Sequence, residues 1–360
     1  MTKTRKIFLP ILLIVTASVF LSACTGQFLP EGWPGMVIEG DTLFVAYGEH
    51  VYFLNENGSQ TGQFPQERIN GATFFAPPLL LDETTMIAGS YAGSLYKFNP
   101  ATGAQIGEPF SKNQSRFLAT PLHVNNVLFL PDTDHFLYAL DLNFNEIWKS
   151  DFNQPLWSAP VIDGQVLYHT SIDNQLYAIN SLTGTVMWQE DLGGTMLSAP
   201  TLSENGLLYI GTFNKEVIAF DPVRQHRAWT FTTNESVWAS PVIANDMLFA
   251  TDLEGYVYAL DLVTGELIWQ VDVDGRITGE PLIVGESLYV GTESGTLAAL
   301  NIADGSLRWQ RSVPGEDAKA YSSPVAWGED MILFGIVDAD QVVMAYDSNG
   351  TLLWEFTPRE

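Results

Sequence analysis

Cysteine is all but missing: among 360 residues there is one, Cys24. A single thiol cannot build the internal disulfide framework on which many small exported domains depend. Positive charge is scarce too, with 16 Lys and Arg against 42 Asp and Glu and a formal net charge of -26. A field of that sign repels phosphate backbones and anionic lipid surfaces, so nucleic acid is not expected as a partner. The five histidines, His50, His123, His135, His169 and His226, show no paired spacing of the kind zinc sites use. No glycine-rich phosphate loop, EF-hand calcium loop or nucleophile elbow is spelled anywhere, which leaves hydrolase and nucleotide-binding readings without support. A membrane span needs about twenty apolar residues, and the stretch Ile7–Leu21 is shorter and contains Pro10. Apolar mass, by contrast, is plentiful. At 46% hydrophobic and 12% aromatic residues the chain can bury a large core, which excludes a disordered protein.

Lys3, Arg5 and Lys6 precede the apolar stretch and Leu21, Ser22, Ala23 and Cys24 close it, the layout of a secretory signal. Those last four residues resemble the lipobox of bacterial lipoproteins. The resemblance implies a signal peptide over residues 1–23, and a lipid on the sulfur and new amino terminus of Cys24. That accounts for both the position and the solitude of the thiol. Several acyl chains anchor a protein stably where one does not. Thr25 stands where an Asp retains many such proteins at the inner membrane, so an extracytoplasmic location is expected. In a two-membrane envelope this is the periplasmic face of the outer membrane, and otherwise the outer face of the cell membrane. Residues 24–35 form the lipidated Cys and tether. Loss of residues 1–23 leaves 13 basic residues against 42 acidic ones, a net of -29.

From about residue 36 onward the chain repeats itself. Prolines recur at Pro78, Pro121, Pro160, Pro200, Pro241, Pro281 and Pro324, each followed by a hydrophobic triplet, a polar turn and an alternating run such as "QVLYHTS" or "GLLYIGT". A third run resembling "LYALD" follows a short turn rich in Asp, Asn, Gly and Glu, which is hairpin chemistry. A fourth carries tryptophan in six copies: Trp148, Trp188, Trp229, Trp269, Trp309 and Trp354. Met36 opens an earlier copy that lacks the proline. Four-stranded units at this period predict an all-β, eight-bladed propeller of antiparallel blades over residues 36–360, because a closed ring hides the edges that a linear stack leaves bare. Small residues and proline then mark the start of each innermost strand, where eight chains converge, and each Trp wedges against a neighbouring blade. Gly62 and Gly107 stand at the Trp position in the first two copies, so looser blade contacts are expected there.

The segments "LYAINSLTGTVMW", "VYALDLVTGELIW" and "LAALNIADGSLRW" resemble the tryptophan-docking repeat of pyrroloquinoline-quinone-type propellers. Two functional groups share that fold: quinoprotein dehydrogenases, and non-catalytic lipoproteins of the BamB family of outer-membrane assembly factors. The adjacent Cys–Cys disulfide common in alcohol-oxidising dehydrogenases cannot form here. Those enzymes also hold calcium beside the quinone through Glu, Asn and Asp oxygens. The acids available here (Asp132, Asp134, Asp173, Asp252, Glu254, Glu293, Asp338 and Asp340) fall in hairpin turns, where turn formers are expected whatever the function.

Aligning the copies on proline isolates a candidate binding rim. Three residues before it stand Phe75, Leu118, Trp157, Leu197, Trp238, Thr278 and Tyr321, and five before it Arg116, Arg276 and Lys319. Glu280 directly precedes its proline, where a carboxylate in a narrow channel would seek a cation, with Arg276 as the expected partner. Aromatic and Arg residues dominate binding hot spots. The expected function is a non-catalytic, membrane-anchored scaffold, monomeric by itself, that captures an envelope protein or peptide segment, by strand addition to a blade edge or on the rim. No cofactor is expected on that reading. The alternatives are a dehydrogenase using pyrroloquinoline quinone with calcium, and a cell-surface sensor or carbohydrate-binding domain.

Overall fold

The computed structural model describes residues 32–112, 115–315 and 317–358. Cys24, the signal and most of the tether lie outside the described residues. Within the unit Glu31–Glu360 the chain forms eight antiparallel sheets, each built of four strands in sequence order. The sixth is typical, with strands Val242–Ala244, Met247–Thr251, Tyr256–Asp261 and Leu267–Asp272. Asn245 and Asp246 join its first two strands with φ of 50° and 59°, the left-handed pair that a tight hairpin demands and that Asn and Asp tolerate. The two middle strands are buried on both faces and the fourth is largely exposed.

A sheet buried on both faces needs an apolar neighbour on either side, and each of the eight cores is made by two successive blades. Leu137 and Ala139 of the third blade pack with Leu167 and Tyr177 of the fourth, for example. The last of these cores joins Leu43, Val45 and Leu54 of the first blade to Leu333, Val343 and Phe356 of the eighth. The ring therefore closes without strand exchange, since no sheet borrows a strand from the other end of the chain. Innermost strands of neighbouring blades lie side by side, among them Gly35–Glu39 and Val325–Trp327. Space there is tight: a β-carbon on Gly279 would stand 2.7 Å from the Ser322 carbonyl oxygen, and one on Gly35 would stand 2.2 Å from that of Phe75. Small residues precede the first strand because neighbouring backbones touch there.

The tryptophans hold the seams. Each faces an alanine across the strand pair (Ala139, Ala178, Ala219, Ala259, Ala299 and Ala345), and a bulge follows at once in the alanine strand. The small partner leaves room for the indole to lie flat, and the bulge re-aims the strand. Trp148, Trp229, Trp269 and Trp309 donate Nε1–H to the carbonyls of Ser181, Leu262, Ile302 and Ser348 in the next blade. Trp354 of the last blade reaches the Glu56 carbonyl of the first at 2.8 Å and completes the circle. Turn glycines receive the ring: a β-carbon on Gly305 (φ 70°) would lie 2.7 Å from Trp269. Opposite Trp188 that glycine is replaced by Gln225 (φ 53°), and the indole packs 6.0 Å from Phe220.

The expected looseness at the first two blades is corrected by an exchange of large and small residues. Gly62 pairs with Phe53, where other blades have alanine, and the Phe53 ring stacks 5.8 Å from Phe98 of the second blade. In the second blade Lys97 takes the alanine position. Its ammonium donates to the Leu142 carbonyl, the equivalent of the Ser181 carbonyl that receives Trp148, and lies 4.2 Å over the Phe144 ring. A lysine thus does the work of an indole N–H. Burial holds its pKa below the usual lysine range. Trp269, only 9% exposed, should cost about 3–5 kcal/mol when changed to Ala. Lys97→Met should cost about 1–2 kcal/mol by leaving the carbonyl unpaired. Equilibrium urea unfolding measures both.

Candidate functional site

The loop leading into each blade alternates. The residue four before the proline is buried in every copy: Phe74, Phe117, Leu156, Met196, Val237, Ile277 and Ala320. Its N–H is tied to the hairpin between the second and third strands of the previous blade, as in Val237 to the Thr212 carbonyl and Ala320 to that of Thr292, both at 3.0 Å. Extended backbone turns the next side chain the other way. Trp157 is accordingly exposed, and Leu118, Leu197, Trp238, Thr278 and Tyr321 are half-buried. Trp238 rests against Phe213 at 5.6 Å.

Two expectations for the rim need correction. Phe75 is buried, because the segment before the first blade covers it. A β-carbon on Gly32 would stand 1.9 Å from its ring. Its ring meets Tyr91 edge-on at 5.8 Å, and the exposed Arg116 guanidinium lies 4.5 Å over that tyrosine. Arg276 is exposed and makes no ion pair with Glu280. A spacing of four brings side chains together on a helix, and this loop is not one.

A cavity of about 430 Å³ opens where the lead-in loops meet. It gathers Trp238, Thr278, Glu280, Lys319 and Tyr321 from three lead-in loops and adds Trp33 and Pro34 from the segment before the first blade. Phe75, Arg116, Leu118, Trp157, Leu197 and Arg276 do not line it. Sequence reasoning missed Ser240, Glu293 and Asp338, which do. A signal was available for the two acids: in an antiparallel blade the hairpin between strands two and three lies at the same end as the lead-in loop, so turn acids there face the rim. Other turn acids are structural. Asp252, fully buried, accepts from the N–H groups of Glu254, Gly255 and Tyr256 and from the Tyr258 hydroxyl. Asp132 caps its turn in the same way, and burial pushes its carboxyl above the usual range. Among the described residues no three His, Cys, Asp or Glu groups are placed to hold a metal ion.

The electrostatics of the mouth centre on Glu280. Glu280 is exposed at the mouth, and partial desolvation by the surrounding lining pushes its pKa above the usual glutamate range. The Ser240 hydroxyl is near enough to oppose that shift but has no partner in normal hydrogen-bond geometry. Lys319, the one cation of the lining, is held by Asp338 at 2.5 Å. In the fourth blade, His169 fills a buried position where the fifth, seventh and eighth blades have Ile210, Val290 and Phe334. Its Nε2 meets the Ser158 carbonyl at 2.9 Å, and burial pushes its pKa down to about 4.

Comparison with known proteins bears on this architecture. A family model described as Outer membrane protein assembly factor BamB matches residues 137–240 and 213–360. The chain belongs to that family. A curated relative of that name from Moranella endobia (strain PCIT) is 24% identical over 259 residues, which is 66% of this chain, and the chain spans 64% of that relative's length. The crystal structure of BamB from Moraxella catarrhalis superposes with a TM-score of 0.68 at 16% identity, over 84% of this chain and 94% of that one. The computationally designed protein Ika8 superposes at 0.65 with 15% identity, over 77% and 85%. These two structures share the fold of the BamB family member described here.

Two titrations should be measurable. The folded state holds His169 neutral, so its contribution is intact above pH 6.5 and lost as the pH falls toward 4, about 3 kcal/mol in all. His169→Gln should lose that much less stability over this window in urea titrations at pH 7 and pH 4. Glu280 has the opposite character: its raised pKa means that the ionised form is penalised in the folded state. Glu280→Gln should melt above the parent at pH 8, and the two melting curves should converge as the pH drops below the ordinary glutamate value.

Proposed function

We propose that this protein is a lipid-anchored, extracytoplasmic scaffold that captures an envelope protein segment on the face carrying the lead-in loops. The anchor is Cys24, and the site of action is the periplasmic face of the outer membrane, or the outer face of the cell membrane where there is only one. Membership of the outer-membrane assembly-factor family supports the class. The observation that carries the choice of face is the gathering of Trp33, Trp238 and Tyr321, all partly exposed, around one mouth, with Trp157 exposed on the equivalent lead-in loop of the fourth blade. Amphipathic rings at a partly desolvated surface are the composition of binding hot spots. The ring needs no second copy to bury its cores, since each is completed within one chain, which supports a monomer.

A quinoprotein reading fits the mouth poorly. Pyrroloquinoline quinone carries three carboxylates, and the lining sets Glu280, Glu293 and Asp338 against a single lysine that is already paired. Like charges so placed repel an anionic cofactor.

Photo-crosslinking amino acids placed at Trp157, Trp238 and Tyr321 of the full-length protein, in intact envelopes, test the proposal. The control position is Val263, which lies in a turn at the opposite end of its blade and is 72% exposed. All three rim positions should trap the same envelope protein and Val263 should not. Absence of any adduct at the rim, or the same adducts at Val263, would remove this face from the account.

A further inference from the structure

Among the charged groups at this mouth, Glu280 has no cation of its own. Lys319 is engaged by Asp338, and Arg276 and Arg116 lie outside the cavity. Ser240, 7% exposed, lies in the wall of the same cavity, with its buried Oγ lacking a hydrogen-bond partner. The cavity therefore holds a carboxylate without a cation beside it, next to a buried hydroxyl that lacks a partner in normal geometry. The rest of the lining is mostly apolar, including Trp33, Trp238, Val325 and Val337. A volume of about 430 Å³ falls within the range of small-ligand sites.

We propose that the channel mouth is a binding site for an alkylammonium or guanidinium group. The cation sits against the Glu280 carboxylate, and its aliphatic stem lies along Trp238 and Val337. Each part of the lining has a counterpart in that ligand. The carboxylate supplies a charge-assisted hydrogen bond, and the indoles offer a ring face to the cation and apolar surface to the stem. With Glu280 and Glu293 unpaired, the mouth attracts positive charge before contact is made. Anions and neutral alkyl groups lack one or other of these matches. The proposal concerns the cavity itself and does not depend on the scaffold reading.

The test uses the purified, unlipidated chain from residue 25 onward only after its melting curve has been matched to that of the full-length protein in detergent; otherwise the full-length protein is used. Titration calorimetry with Nα-acetyl-lysine methylamide, Nα-acetyl-norleucine methylamide and n-butylammonium reads the cation and the stem separately. The lysine probe should saturate one site and bind roughly tenfold or more tighter than the uncharged norleucine probe. Glu280→Gln should remove most of that difference. Tighter binding of the lysine probe than of n-butylammonium marks a protein side chain as the source of the cation, and equal binding marks a free amine; both agree with the site. Equal affinity of the lysine and norleucine probes, or no saturable heat with any of them, overturns it. That comparison is made on the unsubstituted protein, so it stands even where Glu280→Gln fails to fold.

Discussion

An indole N–H reaching the carbonyl of the next blade, with a small residue beneath its ring, is the interaction on which this molecule depends. Each blade is apolar on both faces and cannot be stable alone, so its free energy is realised at the seams. The seam recurs with the same parts: a residue opposite alanine, a bulge, and a turn that offers one carbonyl. Where the parts change they change together. Phe53 faces Gly62, and Lys97 takes the donor role with Gly107 in place of the tryptophan, so the seam survives the loss of its usual residue. Trp354 and Glu56 carry the same contact across the two ends of the propeller.

Convergence of eight innermost strands sets the second level of organisation. Crowding near the axis demands small residues and proline in the lead-in loops, and the tie to the previous hairpin turns the residue four before proline inward. The following side chain is then committed to the rim. What the rim displays is a by-product of core packing on which binding groups can be placed at little cost to the fold. Glu280 is the exception, an exposed carboxylate at the mouth without a paired cation, its ionised form disfavoured by the lining around it. Groups of that kind are retained where they meet a ligand more often than where they only pack.

The propeller was legible in the sequence because its period is short and its markers are chemically distinctive: Trp148 through Trp354 and Pro78 through Pro324 count the blades without any structure. The candidate site was legible only in part. Trp238, Glu280, Lys319 and Tyr321 come together as the alignment implies, because equivalent positions in a ring share one face. Phe75 does not join them, since its burial depends on Gly32, which lies outside the repeat and has no periodic position to read. The pairing of Arg276 with Glu280 failed because sequence proximity in a loop fixes neither direction nor distance. Lys97 could have been recognised from the exchange of small and large residues across a strand pair, a signal hidden when tryptophan alone is tracked.

Hydrogen exchange of the indole N–H groups, followed one tryptophan at a time by nuclear magnetic resonance, tests the seam most directly. Slow exchange is predicted for Trp269, Trp309 and Trp354, whose N–H groups are held by the next blade, and fast exchange for the exposed Trp157. Exchange of Trp354 as fast as that of Trp157 would mean that the first and last blades are not joined, and would contradict the closed ring.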